Sequence, residues 1–163
     1  MAAAPRVDRG DASTSLGGDG GPVLLATLGV PFDPDACAFA VDAAVESGRS
    51  LILANVVELP PLAMSVRMGY DQLDDGRELA EDLRAPAELA SSLGVAVERL
   101  RVRSPRPVVA LVELVAERAA SLLVFGPDPA QMRRRAYRRA ARAVREQAPC
   151  LVWLADEFHT GKP

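Results

Sequence analysis

The sequence predicts an α/β fold, a mainly parallel sheet with helices packed on both faces. Three observations predict it. Short apolar runs recur along the chain, as strands buried on both sides require. Stretches of helical periodicity, several opened by Pro and closed by Gly, separate those runs. The resulting order, β-α-β-α-β-α-β-α-β, calls for right-handed crossovers, with ligands expected outside the carboxyl ends of the strands.

The first run, Val23-Leu24-Leu25-Ala26-Thr27-Leu28, is closed by Gly29 and a turn through Pro31. Asp33 then stands where an N-cap belongs, with Pro34 at the first helical position and Asp35 in the first turn. That helix runs to Ser47 with Phe39, Ala40 and Ala43 inward, and Gly48 ends it. Leu51 to Val57 is a second buried strand, stopped by Pro60-Pro61. A loop over residues 60–70 leads to a helix from Asp71 to Leu93, with Leu79, Leu83, Ala90 and Leu93 on one face. Pro86 should kink that helix, because it lacks an N–H and crowds the preceding turn. Val95 to Val102 alternates apolar residues with Glu98, Arg99 and Arg101, the pattern of a half-exposed edge strand. Ser104-Pro105-Arg106-Pro107 opens a helix reaching Ala120, and Leu122 to Phe125 is a third buried strand ending at Gly126. Asp128-Pro129 starts an arginine-rich helix, and Pro149 to Leu154 makes the last strand.

Composition narrows the function. Of 163 residues 49% are hydrophobic, enough for one domain with a real core. Aromatic residues make up only 4%, which argues against a base-stacking platform for nucleic acid. His159 is the one histidine, so a Ser-His-Asp triad or a multi-histidine metal site is not expected. Ser121 has no Gly-x-Ser-x-Gly context and reads as a helix-to-strand turn residue. Cys37 and Cys150 are too few for a disulfide scaffold and read as buried small apolar residues, their redox role left open. Residues 1–21 are rich in Gly and poor in large apolar side chains, so a disordered arm is expected there, then a domain over 22–156 and a tail over 157–163. With neither a secretory leader nor an 18-residue apolar run, a cytoplasmic protein is expected.

Charge is unevenly spread. Residues 131–147 hold seven arginines against the single acid Glu146, a local +6 in a chain of −3, which leaves −9 on the remainder. Arg135, Arg138, Arg139 and Arg142 share one helical face. They form a candidate surface for an acidic protein or polyanion, against the simpler reading of a solvated face. Asp33, Glu58, Arg103 and Asp128 fall just after strand ends, where catalytic groups of α/β enzymes collect. Asp33 and Asp128 each precede a proline, which makes capping the simpler explanation. The last strand, Leu151, Val152, Trp153 and Leu154, carries no charge or proline, and is a pairing hazard unless covered, so these four residues are a candidate dimer interface.

Val115-Ala116-Glu117-Arg118-Ala119-Ala120-Ser121-Leu122-Leu123-Val124-Phe125-Gly126 resembles the universal stress protein family, as do Ala148-Pro149-Cys150-Leu151-Val152, Asn55 to Pro61 and Leu24 to Gly29. The resemblance implies a three-layer α/β/α open sandwich of the adenine nucleotide alpha hydrolase type. Its five strands would lie in the order 3-2-1-4-5, with dimerisation through the last strand. Many members bind ATP through an Asp near the end of strand one and a Gly-x2-Gly-x9-Gly-Ser/Thr loop after strand four. This chain departs from both motifs. Leu28-Gly29-Val30 occupies the first, Gly126 keeps only the first loop glycine, and Pro129 replaces the second. Arg139-Ala140, or Arg138-Arg139 in the alternative alignment, stands where Gly-Ser belongs. Proline offers no N–H to a phosphate and arginine blocks a close backbone approach. Residues 130–147 therefore read as one helix replacing the phosphate loop, with Asp128 as N-cap and Met132, Ala136, Ala140 and Val144 facing the sheet.

The sequence thus points to a dimeric interaction or regulatory module of the stress response, without cofactor, metal or catalytic residues. Thr27, Gly29, Val56 and Gly126 would be vestiges of the pocket. The alternatives are an ATP-binding relative with a pocket rebuilt near Gly29, Val56 and Gly126, and a hydrolase using strand-end carboxylates such as Asp33 and Asp128.

Overall fold

The computed structural model describes residues 20–60 and 81–154. Five strands form one parallel sheet: β1 (Val23–Thr27), β2 (Leu51–Glu58), β3 (Val97–Ser104), β4 (Leu122–Phe125) and β5 (Leu151–Leu154). Their order is β3-β2-β1-β4-β5, as expected. The described helices are α1 (Pro34–Ser47), α2 (Arg84–Ser92), α3 (Pro107–Glu117) and α4 (Arg134–Gln147). No helix among the described residues is long and apolar enough to cross a membrane.

Strand alternation sorts the core into two layers. Leu24, Ala26, Ile52, Val56, Leu123 and Phe125 point to the face covered by α3 and α4. Val23, Leu25, Leu51, Leu53 and Val124 point to the face covered by α1 and α2. β1 is buried at every position and lies between β2 and β4, so the sheet is deepest at its middle. Each fully buried Leu or Phe there contributes roughly 1.5–3 kcal/mol of transfer free energy.

Four sequence-based expectations change. β3 begins at Val97 rather than Val95, because the Val95 N–H is used to close α2 on the Ala90 carbonyl (3.0 Å), with Gly94 at φ +83°. Residues 61–80 lie outside the described ones, so the loop over 60–70 and the first part of the helix from Asp71 fall there. α2 itself starts at Arg84. Glu81 and Asp82 are helical, Leu83 interrupts the helix, and the new segment places Pro86 in its first turn, where no intrahelical N–H is needed. Leu93 is exposed, while Leu83 and Ala90 are buried.

In α1 the buried residues are Ala36, Ala40, Val41 and Ala44. Phe39 sits at the margin instead of inward, its ring stacked on Trp153 at 4.6 Å between centroids. The arginine-rich helix shows the fourth change. It starts at Arg134, and its buried face is Tyr137, Ala140, Ala141 and Val144, spaced i, i+3, i+4, i+7. Ala136 is exposed, because the apolar stripe centres on Tyr137, whose ring packs on Phe125, while Met132, in the preceding loop, still packs partly buried against that core layer.

Candidate functional site

β1 and β4 are adjacent, and the loops leaving their carboxyl ends frame the switch point where the strand order reverses. Thr27 closes β1, buried, its hydroxyl donating to the Val30 carbonyl oxygen at 2.8 Å. Gly29 follows at φ +69°, a left-handed conformation that favours glycine. The Gly29 N–H donates to Asn55 Oδ1 at 2.9 Å. Asn55 is buried on β2 directly opposite Thr27. In the sequence Asn55 is the one polar residue within the apolar run Leu51–Val57, and it also opens the Asn55–Pro61 segment that carries the family resemblance. Val56 is fully buried and points into the core layer under α3 and α4, so its side chain does not line the crevice.

Gly126 has a packing reason for being glycine. A Cβ there would collide with Ala36 Cβ of α1. From Gly126 onward the two loops are laced together. The Gly126 N–H donates to Ala26 O, the Asp33 N–H to Gly126 O and the Asp128 N–H to Pro31 O, each at 2.9 Å. Phe32 and Pro127 form an antiparallel bridge between them. The Ala130 N–H donates to Asp128 Oδ1 at 2.9 Å, and the Gln131 N–H to Asp128 O at 3.0 Å. Asp128 is therefore the pivot of a turn and not the cap of α4. Its carboxylate competes for the backbone N–H groups that would otherwise begin a helix at residue 130. Residues 126–133 remain a loop, which corrects the expectation that helix had replaced it.

The strand-end carboxylates do not share a chemical environment. Asp33 is buried at the N-cap position of α1, without a side-chain cap bond, while Asp128 is half-buried in its turn. Glu58 and Arg103 are exposed. Among the described residues no three of His, Cys, Asp and Glu gather closely enough for a metal ion. Ser121 sits in the turn between α3 and β4, its hydroxyl donating to Gly21 O at 2.8 Å. His159 lies outside the described residues. Both thiols are pushed above their ordinary range. Burial, with a smaller push from the Asp33 carboxylate, raises Cys37 to about 12. Burial also raises Cys150, against a lowering hydrogen bond from the Leu123 backbone.

Two surface features complete the picture. Arg135, Arg138, Arg139 and Arg142 are all exposed on α4, and Arg142 Nε pairs with Glu146 Oε1 at 2.9 Å. Beside them a groove of about 400 Å³ is lined by Tyr137, Arg138, Ala141, Arg142, Arg145, Glu146 and Leu154. Arg145 lies outside the set Arg135, Arg138, Arg139 and Arg142 that the helical spacing picks out. On β5, Leu151 is 76% exposed, Val152 and Trp153 are half-buried, and Leu154 is buried.

This geometry has known counterparts. A universal stress protein from Burkholderia pseudomallei superposes with a TM-score of 0.62 at 20% identity, covering 84% of this chain and 97% of that one. A universal stress protein in complex with cAMP gives 0.57 at 23% identity, covering 83% and 97%. One from Archaeoglobus fulgidus in complex with dAMP gives 0.56 at 20%, covering 82% and 95%. At these identities the likeness concerns the fold. No curated protein matches the chain. The sequence model of the universal stress protein family does match, over residues 21–155, so the strand order and the laced β1–β4 crevice are those of a chain that belongs to this family.

Proposed function

We propose that this domain acts as a dimeric interaction or regulatory module that does not use ATP and is not an enzyme, in a cytoplasmic setting. One observation carries the nucleotide part. From Gly126 to Gln131 every backbone N–H is already donated within the chain, and Pro127 and Pro129 have none to give. A phosphate cradle works by aiming free N–H groups at the anion. Re-opening this one means breaking hydrogen bonds of about 1 kcal/mol each. The dimer part is supported by β5, an apolar edge strand whose Leu151 faces solvent.

A second reading has its own support. Arg133 is the N-cap residue of α4 and Arg134 and Arg135 open it, with neither an acidic residue in the first turn nor a side-chain cap. Like cations at a helix N-terminus are unfavourable, and an anion there would relieve them. Two structural neighbours are described with cAMP and dAMP. In this reading guanidinium groups would replace glycine N–H groups in holding the phosphate. Calorimetric titration with ATP and with cAMP separates the two. The main reading expects no saturable heat up to about 1 mM ligand, weaker than roughly −4 kcal/mol of binding. Micromolar binding that is lost in Arg134→Gln/Arg135→Gln would replace it with the second.

A further inference from the structure

We propose that the groove between α4 and β5 is the docking site of the chain's own acidic segment, Asp156-Glu157-Phe158. The groove has two chemistries. Arg138, Arg142 and Arg145 recur at i, i+4 and i+7 along one flank, while Tyr137, Ala141 and Leu154 supply an apolar floor. One carboxylate, Glu146, already stands among the three guanidinium groups, paired with Arg142. Arg138 has no acidic partner among the described residues.

The occupant follows from where the chain goes. The described residues end at Leu154, which itself lines the groove. Asp156 is two residues further, within about 7 Å of extended chain. Asp156 and Glu157 bring two adjacent carboxylates to a helix of local charge +6, and Phe158 brings a ring that matches the apolar floor. Tethering presents these groups at a millimolar or higher effective concentration, so individually weak ion pairs suffice to keep the segment seated. Neither the dimer nor the nucleotide reading is needed for this placement.

The test is amide hydrogen exchange of residues 156–158 in the full chain, followed by NMR at low salt. Docking slows these amides about tenfold relative to a free chain, the population two exposed ion pairs can support. The protection is lost in Arg138→Glu, and independently in Asp156→Asn/Glu157→Gln, which leaves α4 untouched. Exchange at the free-chain rate in the unaltered protein overturns the proposal, as does protection that survives both variants. Contacts from Phe158 of one copy to Leu154 of another, in a mixed labelled sample, would assign the groove to a second copy instead. A free segment combined with inorganic polyphosphate shifting the Arg138 and Arg142 signals would assign it to an external polyanion, which equally overturns docking of the chain's own segment.

Discussion

The sheet has two edges, and they are built on opposite principles. At one edge β3 places Arg99, Arg101 and Arg103 at alternate positions, all three exposed, on the face shared with α1 and α2. Glu98, on the other face, is tied to Arg118 at the end of α3 by a 2.8 Å bond. A second strand adding to β3 would have to desolvate that row of cations. At the other edge β5 has no charge at all. Trp153 is covered on the α1 side by Phe39, and Leu151 is left open. One sheet therefore carries a guarded edge and an apolar, open one, and the proposed dimer uses the second.

The largest effect should come from spoiling the open edge. Leu151→Lys places a cation at an exposed position, so the fold should keep its unfolding free energy within about 0.5 kcal/mol. In a two-fold dimer the substitution occurs twice and brings like charges together. Association should weaken by about 4 kcal/mol, near a thousandfold, and light scattering should report a monomer. A dimer mass that survives Leu151→Lys would move the interface away from β5 and remove the contrast between the edges.

How much of this could be read from the sequence depended on whether one signal had one meaning. Leu122–Phe125 is a bare apolar run between Ser121 and Gly126, and the strand falls where that run falls. The β5 run was legible for the same reason. Asp128-Pro129 carries two meanings, helix cap and turn. The turn wins because the Asp128 carboxylate and carbonyl both find local N–H partners. With the helix start displaced to Arg134, the inward face shifts onto Tyr137. Phe39 looked like core by its chemistry, yet the helix geometry gives that place to Val41 and leaves the ring to meet Trp153. At the crevice, the missing glycines were readable. The hydrogen bonds that fill their place, from Asn55 and between the two loops, join residues far apart in sequence and leave no local pattern.

The two cysteines report on the same contrast, because Cys150 precedes β5 while Cys37 lies on α1 beside Asp33. With its thiol pushed up to about 12, Cys37 has a thiolate fraction at pH 8 about a thousandfold below an ordinary thiol. Iodoacetamide should therefore modify Cys150 first, with mass spectrometry following each site. If β5 is covered in the dimer, Leu151→Lys should speed Cys150 and leave Cys37 unchanged. The linkage sign follows from the raised value. Between about pH 9 and 12 the unfolded chain gives up a proton that the native state keeps, so stability falls as pH rises through that window. Cys37→Ala should flatten that part of the urea-unfolding profile. Faster modification of Cys37 than of Cys150 would contradict this burial.

The smallest effect tests whether the guarded edge is also an anchored one. Glu98 and Arg118 join β3 to the end of α3, with side chains 42% and 35% exposed, so solvent screens their attraction. A double-mutant cycle of Glu98→Gln and Arg118→Gln, read by urea unfolding, should give a coupling of about 0.5 kcal/mol. Arg118 also sits at the helix C-terminus, where a cation faces the negative end of the dipole. Its substitution should therefore cost a few tenths of a kcal/mol more than that of Glu98. That asymmetry would mean that the edge is held mainly by the core residues Leu100 and Val102 beneath it, while its charges serve to repel partners. A coupling above about 1.5 kcal/mol would reverse that assignment, making the pair a structural clamp on β3 and leaving Arg99, Arg101 and Arg103 as the edge's repelling charges.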